Sequence, residues 1–209
     1  MFSPPCGGCC STSSSGDNRE ILLETYDEMN KILFLDIDGV LNTGRQHDYC
    51  VERGIAPVDG FGYAFDPEAV ANLARIIEQT GAEIVLSSSW KCWGLSTMQR
   101  MWANRGLPGK IIDITPNSAS DEMLLSVDLD MMLPAVKGSE IKEWLATSGS
   151  QVTRYAILDD QSDMLPEQQP NFVQTDPRVG ITQDDASSVI AILTDKASVI
   201  GPTEQNIDR

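Results

Sequence analysis

From Lys31 onward the chain alternates short apolar runs with longer stretches of helical spacing. Ile32-Leu33-Phe34-Leu35 is continuously apolar, the pattern of a strand covered on both faces. Ile84-Val85-Leu86 and Tyr155-Ala156-Ile157-Leu158 repeat it, and 110–114 and 171–174 are shorter examples. Between the first two runs, Asp66 and Pro67 form a helix start. Val70, Leu73, Ala74, Ile76 and Ile77 follow at helical spacing, and Gly81 is the stop. The spacing also predicts helices over 95–105, over 139–148 with Ile141, Trp144 and Leu145 on one face, and over 184–193. Strands that alternate with helices need crossover connections, so the expected class is α/β with a mainly parallel five-stranded sheet. Ligands of such sheets bind beyond the carboxyl ends of the strands. The chemistry is therefore sought directly after each apolar run.

After the first run come Asp36-Ile37-Asp38-Gly39-Val40-Leu41. Two carboxylates leaving a buried strand are costly to place without a cation. Gly39 lets the chain turn sharply at once. After the second run come three hydroxyls, Ser87, Ser88 and Ser89. Lys137 stands at the start of a later helix, and Asp159-Asp160 follow the fourth run, with Asp163 one turn on. Hard oxygen donors in this order suit Mg2+, and a lysine and a hydroxyl suit a phosphoryl group held against it. Ser88 competes with Ser87 if the strand runs one residue longer. Lys142 competes with Lys137, but five residues along a helix turn it toward solvent.

This order resembles the haloacid dehalogenase (HAD) superfamily of phosphohydrolases, whose first motif is matched by Asp36-Ile37-Asp38-Gly39-Val40-Leu41. The resemblance covers about residues 31–195. Ser88-Ser89-Trp90 and Gly180-Ile181-Thr182 narrow it to small bacterial and phage members, some of which are phosphatase modules of RNA-repair proteins. It implies a Rossmann-like three-layer fold with a small or absent cap. It implies Asp36 as nucleophile, Asp38 as general acid and base, Ser87 as hydrogen-bond donor to a phosphoryl oxygen and Lys137 as the neutralising cation. It further implies Mg2+ held by Asp36, the Asp38 backbone carbonyl and Asp159, with Asp160 or Asp163 as alternatives or additions. Asp at position 38 favours phosphate-ester hydrolysis over halide or phosphonate chemistry. A magnesium-dependent phosphomonoesterase is the expected activity. The alternatives are a nucleic-acid end-processing 3′-phosphatase and an inactive binding or regulatory protein on the same fold.

Two insertions border this site. Residues 43–65 carry glycines at 54, 60 and 62 and read as a flap. Residues 115–136 contain 121–132, a candidate short helix. Neither is long enough for an independent domain, so the pocket is expected to be open and to suit a phosphorylated substrate of macromolecular size. The 209 residues carry 15 basic and 31 acidic side chains, a net charge of −16. Such a surface repels polyanions and excludes general duplex binding. Only Arg45, Arg53, Lys91, Arg100, Arg105 and Lys110 are placed to form a local cationic patch, since 114–209 holds 6 basic against 16 acidic residues. Trp90, Trp93 and Trp102 are read as core or groove-lining residues, with nucleobase stacking as the sharper alternative.

Residues 1–28 are rich in Ser, Gly, Pro and Cys and read as a disordered tail, with a short helical turn at 21–28. The catalytic domain is expected over 29–196, with a frayed end over 197–209, and Met29 is a candidate start. Cys6 and Cys9 have the spacing of a metal or lipid site, but no second pair completes a zinc site. No apolar run spans a membrane and no secretory signal opens the chain, which leaves a cytoplasmic location by default.

Overall fold

The computed structural model describes residues 30–117, 136–148 and 151–194. The expectations for 1–28, Met29, 121–132 and 197–209, including the Cys6–Cys9 pair, lie outside the described residues. Five strands form one parallel sheet: β1 (Asn30–Leu35), β4 (Glu83–Leu86), β5 (Ile111–Ile114), β6 (Val152–Asp159) and β7 (Phe172–Gln174), in the spatial order β5-β4-β1-β6-β7. The chain walks outward from β1 to β5, then returns to place β6 beside β1. The direction of winding therefore reverses between β1 and β6, the place where such sheets bind ligands.

Both faces of the sheet are covered, which explains the unbroken apolar runs. Leu33, Leu35, Ile84, Leu86, Ala156 and Leu158 face one layer. It is built from α2 (Pro67–Thr80), α3 (Leu95–Asn104) and α5 (Gln183–Thr194). Ile32, Phe34, Val85, Tyr155 and Ile157 face the other, where α4 (Val136–Ser148) lays down Ile141 and Trp144. Phe34 meets Trp144 and Tyr155 edge to face at 5.4 and 5.9 Å. The α2 start is as read from the sequence: the Asp66 side chain accepts from Glu68 N–H, Pro67 is the first helical residue, and Gly81 ends the helix in the left-handed region at φ +66°.

The stretch after β1 is more ordered than a flap. It holds α1 (Gly44–Glu52) and a hairpin of β2 (Val58–Asp59) and β3 (Gly62–Tyr63). Periodicity could not reveal α1, because Cys50 is its one buried residue. Its start is fixed instead by a polar cap, the Thr43 hydroxyl accepting from Gln46 N–H at 3.1 Å. Helix α4 begins three residues earlier than its apolar pattern indicates, so Lys137 and Gly138 lie within its first turn. A Cβ on Gly138 would stand 2.7 Å from the Leu165 backbone nitrogen, so only glycine allows this helix to approach so closely.

Candidate active site

The site is a row across the sheet, one residue beyond the last positions at which β1 pairs with its two neighbours. Leu35 pairs with Leu86 and with Leu158, so Ser87, Asp36 and Asp159 come next on three adjacent strands. Ser87 N–H donates to Leu35 C=O and Asp36 N–H to Leu158 C=O, both at 3.0 Å. Side chains alternate along a strand. Asp36 therefore continues the face of Ile32 and Phe34, Asp159 that of Tyr155 and Ile157, and Ser87 that of Val85. All three point to the α4 layer, where Lys137 meets them.

The Lys137 ammonium donates to Asp36 Oδ2 at 2.5 Å and to Asp159 Oδ1 and Oδ2 at 2.9 and 2.7 Å. Burial alone would lower its pKa, but the carboxylates of Asp36 and Asp159 outweigh burial and push it up to about 12. Asp159 is fully buried, and burial together with the Asp36 charge raises it to about 7, despite Lys137. Asp160 is raised for the same two reasons, burial first. One ammonium thus serves a group of carboxylates that repel one another.

Asp36, Asp159 and Asp160 each offer an oxygen, and these oxygens lie within 4.8 Å of one another. Gly39 makes this approach possible. It sits at φ +73°, and a Cβ there would come within 2.6 Å of the Asp160 carboxyl carbon. Three hard oxygen donors converging at a sheet end, with a deficit of positive charge, fit a small divalent cation such as Mg2+.

Of the other expected site residues, Ser87 is buried, and its hydroxyl has no hydrogen-bond partner among the described residues. A buried hydroxyl without a partner is uncommon and points to a role in binding. Ser88 instead caps the short helical turn Ser89–Trp93, its hydroxyl accepting from Trp90 N–H at 3.4 Å. Lys142 is exposed and pairs with Glu167 at 3.0 Å, away from the carboxylates. Asp163 is not part of the three-carboxylate group. Its Oδ2 accepts from the backbone N–H of Lys137 at 3.2 Å, so it caps the helix that carries the lysine. The Asp38 side chain is exposed and also stands outside that group. Its Oδ1 accepts from the Asn42 amide at 2.7 Å and its Oδ2 from the Trp90 indole N–H at 2.9 Å.

Two features escaped the sequence reading. Trp90 holds Asp38, and an indole N–H aimed at one carboxylate has no signature in spacing. Lys91, grouped above with surface cations, is buried and donates to Glu140 Oε2 at 2.5 Å, to Thr115 Oγ1 at 3.1 Å and to the Pro116 carbonyl at 2.9 Å. It ties the ends of β4 and β5 to α4. Four of the other cations named above have local partners. Arg45 pairs with Asp66 and Glu68, Arg105 with Asp59, and Lys110 with Glu83, while Arg53 lies over the Tyr49 ring. Trp102 is core, its indole donating to the Pro108 carbonyl at 2.9 Å. Among the described residues, no helix is long and apolar enough to cross a membrane.

Residues 32–186 match the model of the HAD domain in Swiss Army Knife RNA repair proteins. No match is found among curated proteins. The matched span runs from within β1 into α5 and includes every side chain of the row, Lys137 and the three-carboxylate group. The chain belongs to this HAD domain family, and so to a superfamily of phosphohydrolases.

Proposed function

We propose that the protein is a magnesium-dependent phosphomonoesterase that works through an aspartyl-phosphate on Asp36. The observation that carries this is the convergence of Asp36, Asp159 and Asp160 with Lys137 at the switch point of the sheet. A free oxygen lone pair of Asp36 attacks phosphorus. The new P–O bond forms as the ester P–O bond breaks, and Asp38 gives its proton to the departing alcohol oxygen. In the second step Asp38 takes a proton from water as the water oxygen attacks phosphorus, and Asp36 leaves as a carboxylate. Lys137 offsets the charge that builds up between Asp36 and the phosphoryl oxygens, and the free Ser87 hydroxyl donates to one of them. Asp36, Asp159 and Asp160, with the Asp38 backbone carbonyl, are the residues that would hold Mg2+. Bound there, the ion supplies positive charge against the phosphoryl group.

For the substrate, the name of the matched family favours a phosphate on an RNA end. The net charge of −16 and the locally paired arginines favour recognition of the end itself over tracking of the backbone. The test is hydrolysis of p-nitrophenyl phosphate and of oligoribonucleotides with 3′- or 5′-terminal phosphates, with Mg2+ and with EDTA. Magnesium-dependent release of phosphate, lost in Asp36→Asn, supports the reading. Turnover that survives Asp36→Asn or EDTA refutes it. No turnover on any substrate, together with no trapping of beryllium fluoride on Asp36, would leave a binding or regulatory role on the same fold.

A further inference from the structure

Asp38 is exposed, yet both of its carboxylate oxygens are engaged. One donor, the Asn42 amide, comes from the turn that follows β1. The other, the Trp90 indole, comes from the turn after β4, 52 positions away in sequence. The indole is itself wedged in place. The Gly62 position of the hairpin lies so close that a Cβ there would stand 2.9 Å from the ring. Phe65 packs against it at 5.9 Å and Trp93 at 5.5 Å between ring centroids. An exposed aspartate without such partners samples several rotamers. A general acid must stand within about 2.6–3.2 Å of the oxygen it protonates.

We propose that Trp90 is a positioning residue. Its indole N–H, with the Asn42 amide, holds the Asp38 carboxylate where it meets the leaving oxygen, and the hairpin holds the indole. Each carboxylate oxygen has two lone pairs, so both donors can stay bonded while a remaining site carries the transferable proton. Hairpin, indole and acid form one mechanical series, through which the segment between β1 and α2 reaches the chemical step without touching phosphate. This inference rests on the phosphatase reading and gives a reason for the tryptophan in Ser88-Ser89-Trp90.

The test compares Trp90→Phe with wild type on two esters. p-Nitrophenol leaves without a proton, whereas an alkyl alcohol needs one. The quantity read is kcat/KM, which stops at release of the alcohol and is blind to the later hydrolysis of the aspartyl-phosphate. The expected result is a loss of about 10- to 100-fold on the alkyl phosphate, part of the roughly 10²–10⁴ that general acid catalysis supplies, with p-nitrophenyl phosphate within about threefold of wild type. Asp38→Asn should give the same pattern, more deeply. A merely structural role lowers both esters together, and that result, or no change on either, overturns the proposal. If wild type hydrolyses neither ester, the hydrogen bond is read directly, and the phosphatase reading is judged separately on the oligoribonucleotides. The Trp90 indole resonance, identified by its loss in Trp90→Phe, should exchange with solvent at least about tenfold faster in Asp38→Ala. Unchanged exchange overturns the proposal.

Discussion

Replacing Lys137 by methionine keeps the length of the side chain and removes a cation bonded to both Asp36 and Asp159. The Lys137 side chain is 16% exposed, against 5% for Asp36 and 0% for Asp159, so little solvent replaces the lost charge. Two bounds frame the cost. The rise of the lysine from 10.5 to about 12 is about 1.5 units, or about 2 kcal/mol of stability at neutral pH. Breaking a buried pair costs about 3–5 kcal/mol, but a carboxylate can take up a proton instead. For a group of ordinary pKa, that uptake at pH 7 costs about 4 kcal/mol. Asp159 already titrates near 7, so uptake there is easier and the loss should fall at about 2–4 kcal/mol.

The sign with pH follows. Asp159 binds its proton more tightly folded than unfolded, and more so once the lysine is gone. The variant therefore takes up that proton at a higher pH than wild type does, so its deficit is largest well above pH 7 and shrinks as pH falls toward about 7. The raised lysine contributes in wild type below about 10.5 and ceases to do so above about 12. Urea unfolding at pH 9 and pH 6, each with EDTA and with Mg2+, reads the Asp159 part of this. Mg2+ should stabilise the variant more than wild type, because it meets an uncompensated carboxylate group. Turnover should stay about 10²–10³-fold down, because the ion does not replace a donor aimed at the phosphoryl oxygen. An equal deficit at both pH values, or no extra response to Mg2+, would refute the electrostatic account of this site.

Three further outcomes are expected. Ser87→Ala removes a hydroxyl with no partner among the described residues, so its melting temperature should stay within about 2 °C, while kcat/KM falls about 10- to 100-fold through loss of a bond to a charged phosphoryl oxygen. Gly39→Ala forces a side chain into a left-handed backbone and against the Asp160 carboxyl. Calorimetry should show destabilisation of about 1–3 kcal/mol, with weakened Mg2+ binding by titration. Lys91→Met leaves Glu140 as a buried charge without its cation and should cost about 3–5 kcal/mol in urea unfolding. Adding Glu140→Leu should return part of that loss, as measured by the double-mutant cycle.

Much of this protein was legible from local pattern. Short apolar runs such as Ile32–Leu35 read as strands covered on both faces, and their order with amphipathic helices leaves few topologies. Because the first residue beyond each run falls at the sheet's carboxyl end, Asp36, Ser87 and Asp159 could be named as neighbours before any distance was measured. Helix α1 was not legible, because a cap and one buried cysteine hold it without an apolar face. Nor could sequence choose among the aspartates. Spacing made Asp163 as good a ligand as Asp160, and only the fold turned one into the carboxylate cluster and the other onto the start of α4.

The chain by itself determined which backbone segments end in chemistry, since hydrophobic burial is a property of consecutive residues. Tertiary structure decided which polar atoms meet across them: Trp90 on Asp38, Lys91 on Glu140, and Lys137 between Asp36 and Asp159. Those contacts join side chains 49 to 101 positions apart, with the Lys137–Asp159 bond alone spanning 22, and they depend on strand order and helix approach to within an ångström. Hydrogen bonds and ion pairs are short-ranged and directional, so no periodicity along the chain encodes them.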